Sequence, residues 1–224
     1  MVFSTQWEQI YRQGGQSSVW PWSDLVSYVM RYSPPDRRPY RVLELGFGAG
    51  ANVPFFLSIG ADYSGIEGSP TAVERVRQRF AGADGLRVAC CDFTESIPFE
   101  ETFDLVVDRS SLTHNGTTAI RRCLRHLNGV LRPDGKLIGI DWFSTATAEY
   151  LSGRELEDRY TWGDFPAGQF HDVGTVHFSD EGHLRELLAE AGFDIRRLEH
   201  KRRETVFPLE EGRAAWWNFV AVRA

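Results

Sequence analysis

The sequence contains no run of about 18 consecutive apolar residues, so no segment is predicted to cross a membrane as a helix. Its first residues, from Met1 to Glu8, lack the basic start and apolar core of a secretory signal. From these two absences we expect a cytoplasmic protein that has no membrane partner.

Cysteine and positive charge are both scarce. The chain has 3 cysteines, of which Cys90 and Cys91 are adjacent, and we expect reduced structural thiols rather than a disulfide framework. Its 25 Lys and Arg residues are outnumbered by 31 Asp and Glu, giving a formal net charge of -6. Nucleic-acid binding requires many basic contacts to phosphates, so this balance argues against a nucleic-acid partner. We interpret the basic run at 201–203 as a solvated strand face rather than a phosphate site.

The remaining composition is that of an ordinary globular protein, with 42% hydrophobic and 25% charged residues and no internal repeat. A chain of 224 residues can bury a full core, and we expect a single domain. We divide this domain into an N-terminal helical cap at 1–39, a core at 40–141, an insertion at 142–178, and a last helix with an antiparallel hairpin at 179–224.

The core begins with an apolar strand that leads into a glycine-rich turn. Val42 to Leu45 predict the strand, and Gly46, Gly48 and Gly50 predict a tight turn before a helix. Glycine tolerates unusual backbone conformations and has no side chain, so a ligand can lie directly against the main chain. The unpaired N–H groups of the first helical turn suit a carboxylate or a phosphate.

Strands and helices alternate along the rest of the core. Further strands are predicted at 63–67, 86–91, 103–107, 136–141, 193–206 and 215–222. Ser69-Pro70 and the stretch from Ser179 to Glu181 predict helix starts. The alternation implies right-handed parallel crossovers, and the short connection between the last two strands implies a hairpin. The predicted fold class is therefore α/β: a doubly wound, mostly parallel, seven-stranded Rossmann-like sheet with a C-terminal antiparallel hairpin.

Acidic residues fall at or near the carboxyl ends of the predicted strands. In doubly wound sheets, ligands bind beyond these ends. The residues are Glu44, Glu67, Asp92, Asp108 and Asp141. Such a set suits a ligand that has hydroxyl donors and a positive charge.

Aromatic residues are frequent before the core. Trp7, Ile10 and Tyr11 share one face of a short helix that is predicted to start behind a Ser4 cap. The loop that follows contains Trp20 and Trp22. These aromatics either form a lid or pack two helices together, and the sequence leaves both interpretations open.

The stretch Glu44-Leu45-Gly46-Phe47-Gly48-Ala49-Gly50 resembles motif I of the class I S-adenosylmethionine-dependent methyltransferases. Glu67, the pair Asp92-Phe93, the turn at 131–137 and the terminal hairpin match that family's pattern in the same order. The resemblance implies a single methyltransferase domain, in which 40–141 binds S-adenosylmethionine and 142–178 selects the acceptor. The implied reaction is in-line methyl transfer to a small organic acceptor, at oxygen or nitrogen.

The resemblance also assigns the contacts at the glycine-rich turn. Gly46, Gly48 and Gly50 would let the methionine part of the cofactor approach the backbone, with Glu44 near its ammonium group. Glu67 would accept hydrogen bonds from both ribose hydroxyls.

The other implied cofactor contacts lie elsewhere in the chain. Asp92 would accept a hydrogen bond from the adenine amino group, with Phe93 alongside, and Asp108 would face both the methyl donor and the acceptor. Tyr11, Trp20 and Trp22 resemble the N-terminal aromatics that cover the cofactor in some members of the family.

His114 is the first candidate for a catalytic residue, and Asp108 is the second. His114 follows the fourth predicted strand, where this fold places acceptor contacts, and an unperturbed histidine titrates near neutral pH. We interpret it as a general base for an acceptor that carries a proton. The alternative is a histidine that caps or packs the loop.

The insertion at 142–178 is long, and long loops are usually functional. In this fold, acceptor selectivity tends to lie in such a segment. Its aromatic and polar residues suggest a small organic acceptor, and a protein substrate is the alternative; they are Tyr150, Arg154, Tyr160, Trp162, Phe165, Phe170, His171 and His177. Of these we assign Tyr150, Trp162, His171 and His177 to the acceptor.

Three histidines of the C-terminal half, His171, His177 and His183, recur every six residues. No helix brings that spacing onto one face, and no cysteine accompanies them. We therefore predict no metal site.

Two other functions fit part of the pattern. An NAD-dependent oxidoreductase is one, since residues 46–51 also satisfy the dinucleotide fingerprint in its Ala-ended form. Glu44, Asp92 and the terminal hairpin favour the methyltransferase. A non-catalytic partner or sensor that binds the cofactor is the other alternative. The oligomeric state is not predicted.

Overall fold

The computed structural model describes residues 5–36, 39–208 and 212–224. Its strands are β1 (Arg41–Leu45), β2 (Asp62–Glu67), β3 (Leu86–Cys90), β4 (Phe103–Arg109), β5 (Leu131–Phe143), β6 (Arg154–Glu155), β7 (Thr161–Gly163), β8 (Val176–His177), β9 (Phe193–Arg203) and β10 (Ala214–Arg223). Its helices are α1 (Thr5–Arg12), α2 (Ser23–Tyr32), α3 (Val53–Ser58), α4 (Pro70–Arg79), α5 (Thr117–Val130) and α6 (Glu181–Glu190), with a 3-10 turn at Leu112–His114. Within the described ranges, none of these helices has the length and apolar character needed to span a bilayer.

The main sheet has seven strands in the order β3-β2-β1-β4-β5-β10-β9. The first five pair in parallel, whereas β10 is antiparallel to both β5 and β9. The predicted fold class is thus confirmed. The strand order reverses between β1 and β4, so the carboxyl ends of these two strands border the crevice where doubly wound sheets bind ligands.

Helices cover both faces of this sheet. On one face, α5 and α6 contribute Ile120, Leu124, Leu127, Leu184 and Leu188 to a buried core. On the other, α2 and α4 bury Leu25, Val29, Val73 and Val76 against the strands. Because β4 and the second half of β5 are buried on both faces, they read as nearly continuous apolar runs.

Two helix starts lie where the sequence predicts them. The Ser69 hydroxyl accepts a hydrogen bond from Ala72 N at 3.1 Å, with Pro70 as the first helical residue of α4. Asp180 caps α6 by accepting from His183 N at 2.8 Å. The predicted Ser4 cap lies outside the described residues.

Strand β5 begins earlier than predicted. It starts at Leu131, directly after α5, and contains the turn expected at 132–135. Its register with β4 shifts between Phe103 and Leu105, and Asp134 adopts a φ of +63°. The turn is therefore an irregularity within one strand rather than a connection before it.

The insertion contains short strands that the sequence analysis did not predict. Strands β6, β7 and β8 form a small antiparallel sheet. Two or three residues are too few to show an alternating pattern. An aromatic core holds this sheet against the domain, and it comprises Phe143, Trp162, Phe165, Phe170, Val173, Val176 and Phe178.

Gly50 offers a test of how α4 packs on the glycine-rich turn. Its φ is +74°, and a Cβ there would lie 2.7 Å from Val76 Cγ2. Gly82 has a similar φ of +80°, but a Cβ there would have nothing within 4 Å. We expect Gly82→Ala to cost only the left-handed backbone penalty, about 1 to 2 kcal/mol, and Gly50→Ala to cost about 1 to 3 kcal/mol more. Equilibrium urea unfolding measures both, and equal losses would contradict this account.

Candidate active site

A cavity of about 780 Å³ opens at the carboxyl ends of β1 and β4. We call one part of it the glycine end, lined by Gly46, Gly48 and Glu67, and the other the aromatic end, lined by Phe143, Phe170 and Trp216. Its volume falls in the range of small-molecule and cofactor sites. The two ends therefore belong to one cavity that can hold more than one small ligand.

At each glycine of the turn, another side chain already fills the space that a Cβ atom would occupy. Gly46 and Gly48 have φ values of +57° and +55°. A Cβ at Gly46 would lie 2.3 Å from Ser111 Cβ, and one at Gly48 would lie 2.6 Å from Tyr11 Oη. Gly50 faces Val76 and is absent from the described residues that line the cavity. Only the first two glycines thus expose backbone to a ligand.

Glu67 is held rigidly at the glycine end. Its Oε2 accepts from Gly48 N at 3.0 Å, and its Oε1 accepts from Ser69 N at 2.9 Å. The residue is only 5% exposed, and burial raises its pKa. A carboxylate has about four acceptor sites, so Glu67 keeps capacity for ligand hydroxyls.

Glu44 joins β1 to the start of α3. It is buried, and it accepts hydrogen bonds from Asn52 Nδ2 and Tyr63 Oη, both at 2.7 Å. Burial raises the pKa of Glu44 to about 7. Asn52 also accepts from Trp22 N at 3.1 Å and lines the cavity, although the sequence analysis missed it. The only feature of the sequence that indicates a role for Asn52 is its polar side chain directly after the glycine-rich turn.

Asp108 is fully buried behind the cavity wall. Its Oδ1 accepts from Ser111 N at 3.1 Å and from Leu112 N at 3.0 Å, which fixes the 3-10 turn. Its Oδ2 has no hydrogen-bond partner among the described residues. Burial raises the pKa of Asp108 to about 6. Asp108 is absent from the described residues that line the cavity, so its carboxylate lies behind them.

His114 ends that 3-10 turn and lines the cavity. Its ring packs edge-on against Trp7 and Phe143, with centroids 4.7 and 5.5 Å away. Within the described ranges its buried Nδ1 has no hydrogen-bond partner. Desolvation lowers the pKa of His114 to about 4, against the opposing effect of a hydrogen bond to the Thr175 backbone. The ring is therefore neutral at neutral pH, and its unpaired Nδ1 has almost no accessible surface.

Asp92 and Phe93 line the cavity after β3. Asp92 Oδ1 accepts from Thr94 N at 2.8 Å and from Thr94 Oγ1 at 2.7 Å. These two bonds orient the carboxylate at the end of the strand.

Helix α1 covers the glycine end. Trp7 and Tyr11 line the cavity from this helix, and Tyr11 is buried over the turn. Between them Glu8 accepts a hydrogen bond from Thr71 Oγ1 at 2.7 Å and another from Ser69 Oγ, at the start of α4. Desolvation acts to raise the pKa of Glu8, but these hydrogen bonds lower it to about 2. The Glu8 carboxylate, which attaches α1 to the start of α4, thus stays charged at physiological pH.

The two tryptophans of the loop after α1 differ in position. Trp22 lines the cavity, and the Arg109 guanidinium lies 3.4 Å from its ring centroid. Trp20 is 79% exposed and is not among the described lining residues. The loop therefore supplies three lining residues of the cavity, Gln16, Ser18 and Trp22.

The four insertion residues assigned to the acceptor do not line the described part of the cavity. Tyr150 and Trp162 pack on each other with centroids 5.8 Å apart, and His171 is exposed beside Asp172. His177 is fully buried and lies within hydrogen-bond distance of Thr117 Oγ1 and Ser179 Oγ, at 3.3 and 3.1 Å.

The insertion reaches the cavity through other residues, namely Gln169, Phe170 and Val173. Trp216 of β10 joins them from outside the insertion. No periodicity in the sequence distinguishes these residues from the aromatics that form the core of the insertion.

The histidine series does not form one cluster. The rings of His177 and His183 lie 5.2 Å apart, whereas His171 pairs with Asp172. Over residues 5–36, 39–208 and 212–224, no group of three or more His, Cys, Asp or Glu side chains could hold a metal ion.

Residues 42–135 match the family model described as a methyltransferase domain. This segment contains the glycine-rich turn, Glu67, Asp92 and Asp108. Together with the sheet order, the match confirms the predicted resemblance to the class I S-adenosylmethionine-dependent methyltransferases, enzymes whose cofactor is S-adenosylmethionine. No curated protein sequence matches the chain.

Solved structures resemble the whole chain. A SAM-dependent methyltransferase from Methanosarcina mazei has a TM-score of 0.69 and 17% identity over 91% of this chain and 98% of its own. The 1,6-didemethyltoxoflavin-N1-methyltransferase of Burkholderia thailandensis has a TM-score of 0.68 and 19% identity over 98% and 86%. The N-methyltransferase NodS of Bradyrhizobium japonicum has a TM-score of 0.60 and 17% identity over 89% and 94%. At these identities the likeness shows the fold.

The raised pKa of Glu44 predicts proton release on cofactor binding. At about pH 6.5 this buried carboxyl is partly protonated, and a cationic ligand nearby favours its ionised form. We expect S-adenosylmethionine to bind more tightly as the pH rises from about 5.5 to 7.5. Calorimetry in two buffers of different ionisation enthalpy should show the released protons. Glu44→Gln should release fewer protons, and an equal release from both proteins would contradict the assignment.

Proposed function

We propose that this chain transfers the methyl group of S-adenosylmethionine to a nitrogen or oxygen atom of a small organic acceptor. The observation that carries the proposal is the single cavity that joins the glycine end to His114 and the aromatic end. One ligand can lie against the glycine-rich backbone while another lies against the aromatic rings. Such an arrangement holds a donor and an acceptor side by side.

The residues at the glycine end fit S-adenosylmethionine. Glu44 and Asp108 are buried carboxyls with raised pKa values, and Asp108 Oδ2 lacks a partner among the described residues. A cationic group beside them would favour their ionised forms, and this cofactor has an ammonium and a sulfonium. Gly46 and Gly48 offer backbone to the methionine part.

The sugar and base of the cofactor would lie further along the strand ends. Glu67 is oriented by two backbone N–H groups and would accept from the ribose hydroxyls. Asp92 would accept from the adenine amino group, with Phe93 beside the ring. Tyr11 and Trp22 line the same cavity and would cover the cofactor.

The chain's own contribution is alignment in a site that excludes water. When bound, the cofactor supplies a methyl group that is already activated by its sulfonium. Trp7 and Phe143 flank His114 and would shield the reacting atoms from solvent. Holding two reactants in the reacting geometry can supply about 7 to 11 kcal/mol of the barrier.

His114 would bind the proton of the acceptor. Its buried Nδ1 lacks a partner among the described residues and would accept a hydrogen bond from an N–H or O–H group of the acceptor, which would direct the lone pair of that atom away from the ring. Because its pKa lies near 4, the ring stays neutral and able to accept a proton throughout the neutral pH range. Nitrogen is the acceptor atom by name in two of the similar enzymes, and oxygen is the alternative.

Cofactor choice is tested by calorimetric titration with S-adenosylhomocysteine and, separately, with NAD. We expect binding of the former alone, weakened about ten-fold or more by Glu67→Gln because the ribose loses a charged acceptor. Glu74→Gln is the matched control, since Glu74 lies on the exposed side of α4 and bonds only Gln78 among the described residues. Binding of NAD alone would instead support an oxidoreductase.

The role of His114 is tested by a pH profile with an acceptor identified by screening. We expect His114→Gln to lower turnover by about 10²-fold or more, because a positioned proton acceptor contributes about 10² to 10⁴. Since burial lowers the pKa of His114 to about 4, the loss should be equal at about pH 6 and pH 8. Unchanged turnover in the variant would show that the ring only packs against Trp7 and Phe143. Such a result would leave the alignment of donor and acceptor as the whole contribution of the chain.

A further inference from the structure

The basic run at 201–203 reaches the cavity. Lys201, Arg202 and Arg203 end strand β9, and all three line the aromatic end together with Trp216. In the antiparallel pairing of β9 with β10, Lys201 lies opposite Trp216. The run is therefore more than the solvated strand face that the sequence analysis expected, although Arg202 and Arg203 remain exposed.

Two of the cations around the cavity are neutralised within the chain. Both Nε and Nη2 of Arg109 donate to Asp141 Oδ2, at 3.1 and 2.9 Å. Lys201 forms an ion pair with Asp24, at the start of α2. Each of these ion pairs is neutral overall, so neither Arg109 nor Lys201 offers an uncompensated positive charge to a ligand.

Arg202 and Arg203 are different, because neither forms an ion pair with any carboxylate that the structure describes. The Arg203 guanidinium lies over the Trp216 ring, 5.3 Å from its centroid, which holds the charge beside the aromatic end. The acidic residues Glu67 and Asp92 line the opposite part of the cavity. The cavity thus has an acidic glycine end and a positively charged aromatic end.

The aromatic end provides flat apolar surface next to those charges. The rings of Phe143 and Phe170 have centroids 4.9 Å apart and are inclined by 67°. Phe143 also contacts His114 edge-on and lies opposite Trp216 in the pairing of β5 with β10, so this wall runs from the His114 ring to Trp216 and Arg203. A ligand along the wall would lie between the His114 ring and the Arg203 guanidinium.

We propose that the acceptor is an aromatic or heteroaromatic molecule that bears an anionic group, either a carboxylate or a phosphate. Arg203 binds the anionic group, whose two oxygens match the planar fork of a guanidinium, and Arg202 adds a second positive charge at the same end of the cavity. The ring packs against Phe143, Phe170 and Trp216, and the atom to be methylated lies near His114. This inference rests on the proposed function, since it assigns the acceptor of the same site.

The test compares matched probes on protein saturated with S-adenosylhomocysteine. The pairs are 2-aminobenzoate with 2-aminobenzamide, and phenyl phosphate with phenol, with dissociation constants measured by saturation-transfer NMR titration. We expect the anionic member of at least one pair to bind about ten-fold more tightly, as one charge-assisted hydrogen bond would give. The pair that shows the larger ratio identifies carboxylate or phosphate as the preferred group.

The double variant Arg202→Gln/Arg203→Gln should lose this preference while it binds S-adenosylhomocysteine as the wild type does. Arg196→Gln is the matched control, because Arg196 lies on the same strand and is absent from the described cavity lining. The inference is overturned if neutral probes bind as tightly as anionic ones, if no anionic probe binds, or if the preference survives in the double variant. Failure of the wild type to bind S-adenosylhomocysteine would instead refute the proposed function.

Discussion

Two buried carboxylates at the crevice between β1 and β4 constrain the rest of the site. Glu44 and Asp108 are 2% and 0% exposed, and burying an ionised carboxyl is costly unless it is paired or hydrogen-bonded. Their pKa values rise to about 7 and about 6 for this reason. A raised pKa in the folded state means that the stability contributed by the protonated carboxyl is lost as the pH rises through those values. A cationic cofactor in the crevice would offset this loss.

The hydrogen bonds that offset the burial of these carboxylates also build the walls of the cavity. Asn52 donates to Glu44 and accepts from the backbone of Trp22, so one carboxylate positions the loop that closes the glycine end. Asp108 accepts from the backbone of the 3-10 turn that carries His114. The two carboxylates therefore set the electrostatics of the crevice, and Asp108 also sets the position of His114, the proposed proton acceptor.

The sequence was sufficient for the sheet and for the glycine end because both follow from local patterns. Parallel strands bring their carboxyl ends to one edge, so Glu67 and Asp92 could be placed together from strand positions alone. The aromatic end could not be predicted in this way. Phe170 lies within an insertion whose many aromatics mostly pack on one another, and Trp216 reaches the cavity only through the register of β10. The lowered pKa of His114 could not be predicted either, because it results from burial that no sequence pattern shows.

The two ends of the cavity differ in how tightly the sheet fixes their side chains. The glycine end is fixed by the pairing of β1 with β2 and β4, where a shift of one residue would move each carboxylate to the other face of the sheet. Phe143, Phe170 and Arg203 instead come from a strand end, a loop and a hairpin, and none of them forms part of the crevice between β1 and β4. Their side chains can therefore vary without changing the register that fixes the glycine end. Similar folds at 17% and 19% identity show that the sheet itself tolerates extensive substitution.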